Sequence, residues 1–321
     1  MKLWEEAEKV VFLGVEMYGF GLYVALGVLF SAVAMGVISW AMEMKKGTAP
    51  LLMLFSLVLG AICSRLAFCL MNQEIGRMMP LSSWVQITGG GWSMFGLLGG
   101  VLLSAFLCAK ISGQETSRVM DLACVSLLPF IVAERMGERL IPDFDISRPL
   151  ESAFLKQSFL AVGDEFDSCL RTYYLAAAFA FVLFVYLVFR LRRGEAPGTL
   201  TIVFLLLFGA GEIVLESLRY DRFLSITFVG LQQILAAITL AVGVALAIRR
   251  NRGRDRGLIR AAIISLPVMV GGVLGLEFAL DRTMVNKFLL YGLMIMAVAC
   301  PVAFAMKLLR NQEGKDRMAR E

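Results

Sequence analysis

The sequence predicts an all-α, polytopic membrane protein of about nine transmembrane helices, N-terminus outside and C-terminus inside. Three observations carry that prediction. Hydrophobic residues fill 59% of the 321 positions and charged residues only 18%, where a water-soluble domain runs nearer a quarter charged. The apolar residues gather in runs of roughly 16 to 24, the length a helix needs to cross ~30 Å of hydrocarbon. Basic residues crowd every second gap between those runs, as the positive-inside rule requires. Lipid offers no partners to backbone N–H and C=O groups, so the runs must be helical. The ten-residue alternation of an outer-membrane barrel is absent.

Taken in order, Met1 to Lys9 carries Glu5, Glu6 and Glu8 rather than a basic leader. The first apolar run is therefore expected to stay as an uncleaved span. Spans are expected at Gly19–Ala41, Leu51–Met71, Met94–Ala109, Val119–Ala133, Tyr173–Phe189, Leu200–Leu215, Ser225–Ile248, Leu258–Leu280 and Phe288–Leu309. Lys45 and Lys46 follow the first span, Lys110 and Arg118 the third, and Arg190, Arg192 and Arg193 the fifth. Arg249, Arg250, Arg252, Arg254, Arg256 and Arg260 follow the seventh, and the tail carries Lys307, Arg310, Lys315, Arg317 and Arg320. These clusters set topology and anchor lipid headgroups. The net charge of +5 is thereby accounted for without a nucleic-acid surface.

Cys63, Cys69, Cys108, Cys124 and Cys300 lie in apolar runs, and only Cys169 falls in a polar loop. No spacing calls for a metal site or a disulfide framework, and no cofactor is expected. Two outward segments are long, 73–92 and 135–172, and a loop of the second kind is usually a lid or binding element. Residues 1–250 are expected to form one membrane domain carrying the long outer loop. Residues 251–321 then add a transmembrane hairpin and a basic cytoplasmic tail. No internal repeat is evident, which weighs against the inverted-repeat transporter folds.

Ionisable groups at membrane depth are expensive and therefore functional candidates. Arg65 lies two-thirds along the second span, and Asp121 opens the fourth, where an interfacial cap is the plainer reading. Arg135, Glu138 and Arg139 close the fourth span at helical i, i+3, i+4 spacing. Glu212, Glu216 and Arg219 close the sixth and, at ~100° per residue, fall within about 60° of one another on one helix face. Converging guanidinium forks suit phosphate oxygens of an anionic headgroup. A buried salt-bridge network fixing helix register is the structural alternative. Gly209 and Gly211 just before the sixth-span set let a helix or a headgroup come close. Gly89 to Gly91 and Gly96 enter the third span, where glycine serves helix packing or close backbone approach to a headgroup. Tyr18 fits an interfacial aromatic belt.

The ordered set resembles the prolipoprotein diacylglyceryl transferase family of bacterial inner-membrane enzymes. It runs from Tyr18-Gly19 through Arg65-Leu66 and Gly90-Gly91-Trp92-Ser93-Met94-Phe95-Gly96 to Arg135-Met136-Gly137. It continues with Glu212-Ile213-Val214-Leu215-Glu216-Ser217-Leu218-Arg219 and Val229-Gly230-Leu231-Gln232-Gln233. The resemblance spans about residues 10–248, so the last two spans are extra to a seven-helix family core.

It implies transfer of a diacylglyceryl group from phosphatidylglycerol to the lipobox cysteine thiol of exported prolipoproteins. The implied location is the bacterial cytoplasmic (inner) membrane. By that resemblance Arg135 and Arg219 hold phosphate, Glu216 orients them and Tyr18 meets the headgroup. Arg65, Gly90, Gly91, Ser93, Gly96, Arg139 and Asp143 complete the phospholipid site, Asp143 standing for a family glutamate. Three positions depart: Phe95 replaces a histidine in a chain that has none, Glu138 an asparagine, and Glu212 an arginine. Imidazole is the side chain best matched to proton transfer near neutral pH, so Glu138 or Glu212 is left as the candidate base. The implied partners are phosphatidylglycerol, other anionic lipid and prolipoprotein signal peptides. Two other functions compete: a family-fold protein that binds anionic lipid or a membrane partner without turnover, and a small-solute transporter.

Overall fold

The computed structural model describes residues 9–12, 15–71, 84, 91–140, 147, 149–150, 152–163, 168–219, 225–226, 229–251, 255–283 and 285–318. Among them, nine helices are long and apolar enough to cross a membrane, and the chain is a polytopic helical membrane protein. They are α1 Gly19–Ala41, α2 Thr48–Met71, α3 Met94–Ser112, α4 Thr116–Gly137, α5 Thr172–Arg192, α6 Thr199–Ser217, α7 Leu231–Arg250, α8 Arg256–Arg282 and α9 Lys287–Met318. Three short antiparallel hairpins precede or join them: β1–β2 (Lys9–Phe12, Val15–Tyr18), β3–β4 (Ala161–Val162, Cys169–Leu170) and β5–β6 (Ser225–Ile226, Val229–Gly230).

Most expected spans match a helix to within three or four residues. The seventh begins later than expected. Ser225 to Gly230 forms the β5–β6 hairpin, and the helix starts only at Leu231, with Gly230 extended as its N-cap (φ −67°, ψ 138°). Apolar content alone does not separate a hairpin from a helix turn, which is why the span is overlong in the sequence.

The chain divides into two compact units, Met1–Val188 with Leu218–Asp221, and Phe189–Ser217 with Arg222–Glu321. In the first, α2 packs along α3 and α1 along α4, and α3 in turn meets α4. Small residues make these approaches possible. A Cβ on Gly96 would stand 2.6 Å from the Cys63 carbonyl, and one on Gly100 2.5 Å from that of Leu59. At Gly137 a Cβ would meet the Tyr23 Cβ at 2.7 Å, so α4 presents bare backbone to the Tyr23 side chain of α1. Helices in lipid gain no hydrophobic force from meeting one another and rely on such close contact.

In the second unit α6 packs along α7, and α8 pairs with α9, which also meets α6 and α7. A Cβ on Gly209 would lie 2.7 Å from the Leu240 backbone nitrogen. Gly209 therefore serves helix packing, one of the two uses its position allowed. Phe204 and Phe208 stack at 5.1 Å on α6, the most enclosed of the nine helices.

Candidate functional site: a buried arginine–glutamate–arginine cluster

The cluster is built at the C-terminal end of α4. That helix stops at Gly137 and tightens into a 3-10 turn over Glu138–Leu140. Arg135 and Glu138 are both buried, and Arg135 Nη1 donates to Glu138 Oε1 at 2.5 Å. The other oxygen faces a second guanidinium: Arg219 Nη2 lies 3.1 Å from Oε2 and 3.3 Å from Oε1. On its far side Arg135 Nε is 3.6 Å from Glu134 Oε2. One carboxylate thus stands between two guanidinium groups, with a second carboxylate behind. Charges this enclosed are stable only when paired.

Arg219 reaches Glu138 because α6 has already ended. The sequence places Glu212, Glu216 and Arg219 on one face of a continuing helix, and the structure corrects this. The helix stops at Ser217, and Arg219 is extended, its backbone bridged antiparallel to Ser147. The bridge belongs to the long loop before α5, which is stitched locally. Ser147 Oγ lies 2.5 Å from Thr172 Oγ1, Pro149 bridges Cys169, and Leu150 N–H donates to the Ser168 carbonyl at 2.8 Å. Pairing with a loop strand satisfied the Arg219 backbone where helical continuation was expected. Glu212 is buried and Glu216 half-buried on α6, in the second compact unit.

Arg139 departs from the cluster. The 3-10 turn advances by 3.0 residues rather than 3.6, and Arg139 is exposed while Glu138 is buried. Tyr18 caps the start of α1, 44% exposed, with Lys9 Nζ 5.9 Å from its ring centroid. Gly90 and Asp143 lie outside the described residues.

The glycine-rich entrance to α3 forms a second polar knot. Arg65, buried in α2, donates from Nη1 to the Gly91 carbonyl at 2.9 Å and lies against the Phe68 ring. Gly91 has φ +76°, and a Cβ there would stand 2.4 Å from Phe68, so glycine is required on both counts. Ser93 caps α3, accepting from Gly96 N–H at 3.2 Å, and its own backbone bonds to Ser64. In this geometry Arg65, Gly91, Ser93 and Gly96 fasten α3 to α2. Phe95 is half-buried in the first turn of α3.

Alongside the charged cluster runs an apolar cavity of about 620 Å³ between α1, α4 and α5. Its walls are apolar or aromatic throughout, including Tyr23, Phe30, Ala34, Pro129, Met136 and Phe181. Met136 follows Arg135 in the same helical turn, so the greasy wall adjoins the guanidinium. Two membrane-depth carboxylates, one in each unit, escape a sequence reading. Glu134 is adjacent to Arg135 yet overlooked, and Glu277 is fully buried in α8. The rule that membrane-depth charges are functional candidates would have flagged both.

A helical membrane protein with a buried guanidinium–carboxylate cluster beside an apolar groove is the class that fold and site define. Residues 8–249 match the prolipoprotein diacylglyceryl transferase family, and the chain belongs to it. Among its relatives is the phosphatidylglycerol–prolipoprotein diacylglyceryl transferase of Clostridium tetani, 20% identical over 239 residues, 72% of this chain and 92% of that protein. The Bacillus licheniformis protein of that name is 23% identical over 220 residues, covering 65% of this chain and 80% of its own. That of Bacillus velezensis is 22% identical over 220 residues, with 65% and 79% covered. Residues beyond 249, which include α8 and α9, fall outside the family match.

Proposed function

We propose that this chain moves a diacylglyceryl group from phosphatidylglycerol to the cysteine thiol of a prolipoprotein lipobox. The observation that supports it is the Glu138 carboxylate held between Arg135 and Arg219 beside an apolar groove that can take acyl chains. In the reaction the thiol sulfur bonds to the terminal glyceryl carbon. The bond from that carbon to the phosphate oxygen breaks, and glycerol phosphate leaves with the electron pair. The thiol proton goes to a carboxylate, Glu138 or Glu212, with Glu216 orienting the arginines, since the family histidine is Phe95 here. The departing phosphate would compete with Glu138 for its two guanidinium partners, where paired cationic forks act most strongly. Tyr18 and Arg139, both exposed, would meet the headgroup, while Arg65, Gly90, Gly91, Ser93, Gly96 and Asp143 would shape the rest of the phospholipid site.

The protein would sit in the cytoplasmic membrane with its N-terminus outward, where exported preproteins present their signal peptides. Other anionic lipids would compete through the same phosphate chemistry. The test is a turnover assay in vesicles of phosphatidylglycerol, radiolabelled in the acyl chains, with a lipobox peptide. Label on the peptide in wild type and its loss in Arg135→Ala is the expected result. A well-expressed wild type that transfers no label ends the proposal.

One observation favours a second reading, a lipid-binding protein without turnover. Both guanidinium groups are already engaged by carboxylates, and the imidazole is gone. Saturable binding of labelled phosphatidylglycerol with no transfer to peptide would select it.

A further inference from the structure

Among the described residues, Glu277 is the most deeply buried carboxylate to which the reaction gives no part. Glu277 lies in α8, beyond the stretch matched to the family, and is fully buried in a transmembrane helix. Such a group is costly at membrane depth unless it is paired. Its Oε1 accepts a hydrogen bond from Gln233 Nε2 at 2.8 Å. The same nitrogen donates to the Ile213 carbonyl of α6 at 3.2 Å. A side-chain amide has two N–H protons, and these two bonds use both. Gln233, itself buried, therefore couples α8 to the last turn of α6.

The other appended helix grips the same turn. Tyr291 of α9 donates its hydroxyl to the carbonyl of Ser217 at 3.2 Å. Ser217 is the final residue of α6, and the last four carbonyls of a helix have no partner within it. In an apolar surrounding no bulk water takes their place. The turn between Ile213 and Ser217 is thus held from two sides, by Gln233 of α7, which Glu277 of α8 fixes, and by Tyr291 of α9. It carries Glu216, with Glu212 just before it. Replacing a buried polar cluster as a whole by apolar residues of similar volume is often neutral for stability. Stability alone is therefore a weak reason for this glutamate, and geometric specification is a better one.

We infer that α8 and α9 form a positioning clamp on the C-terminal turn of α6, with Glu277 and Tyr291 as positioning residues that hold Glu212 and Glu216 for the transfer reaction. This rests on the reading above that those carboxylates serve transfer. The Gln233 amide is the relay, orienting the turn through the Ile213 carbonyl only while Glu277 fixes its other proton.

The test uses the full-length protein in phosphatidylglycerol vesicles, with Glu277→Leu, Glu277→Gln and Tyr291→Phe. Backbone hydrogen exchange is followed across 213–217 and, as an internal reference, 199–208. Lipid transfer to a lipobox peptide is measured in parallel. Glu277→Leu and Tyr291→Phe are expected to speed exchange in 213–217 at least tenfold while the reference stays protected. They should lower kcat at least tenfold with KM for phosphatidylglycerol within twofold. Glu277→Gln, whose amide oxygen still accepts from Gln233, should restore both to within threefold of wild type. Unchanged exchange in the two disruptive variants overturns the clamp, and faster exchange with unaltered kcat overturns its role in positioning. An inactive wild type counts against the transferase reading and is told apart from a failed clamp because exchange is read without turnover.

Discussion

At Glu138 one carboxylate meets two guanidinium groups, and the three residues should fail in different ways when changed. Arg135→Ala leaves a buried acid with half its pairing gone, and breaking a buried pair costs about 3–5 kcal/mol. Its expected outcome is a lower unfolding midpoint in detergent together with lost transfer. Arg219 is less enclosed, with a side chain 20% exposed, so Arg219→Lys should leave the midpoint almost unmoved. Its transfer should still fall, because one charged hydrogen bond is worth about 1.5–3 kcal/mol, or roughly 10- to 100-fold in kcat/KM. Both arginines were legible in the sequence because a charge inside an apolar run is hard to explain otherwise. Glu138 was legible too, but not that both arginines share it, since Arg219 reaches Glu138 only by leaving the α6 helix to pair with Ser147.

Among the elements, the α2–α3 contact makes the sharpest demands. Ser93 accepts from Gly96 N–H at the start of α3, and removing an N-cap costs about 1 kcal/mol. Ser93→Ala should lower stability by that amount in a detergent unfolding titration. Gly96→Val should cost more, about 1–3 kcal/mol for overpacking, because its Cβ falls 2.6 Å from both the Ala67 Cβ and the Cys63 carbonyl. Glycines spaced through a membrane helix were readable as packing or headgroup sites, and at Gly96, Gly100 and Gly209 a neighbouring helix fills the space a Cβ would need. The β5–β6 hairpin was missed because its residues are as apolar as the helix that follows. Only hydrogen bonds between Ser225–Ile226 and Val229–Gly230 distinguish it.

For the whole molecule, alternating basic gaps predict which loops share a side. Alkaline phosphatase, active only outside the cytoplasm, should be active when fused after Gly163 and inactive after Gly113 or Gly194. The reverse pattern would overturn the proposed orientation. The groove between α1, α4 and α5 makes a second prediction at this scale. Ala34→Trp should fill part of it and raise KM for long-chain phosphatidylglycerol about tenfold, the equivalent of ~1.4 kcal/mol of lost fit, with short-chain lipid less affected. Helical class, the count of spans and the family were determined by the sequence alone. Long apolar runs admit only one backbone solution in lipid, and the ordered motifs survive along the chain. Which charges meet, that Arg139 is exposed and that α8 and α9 hold the end of α6 were decided by tertiary structure. Those outcomes depend on where helices stop and how closely backbones approach, and neither quantity is written in hydrophobicity or spacing.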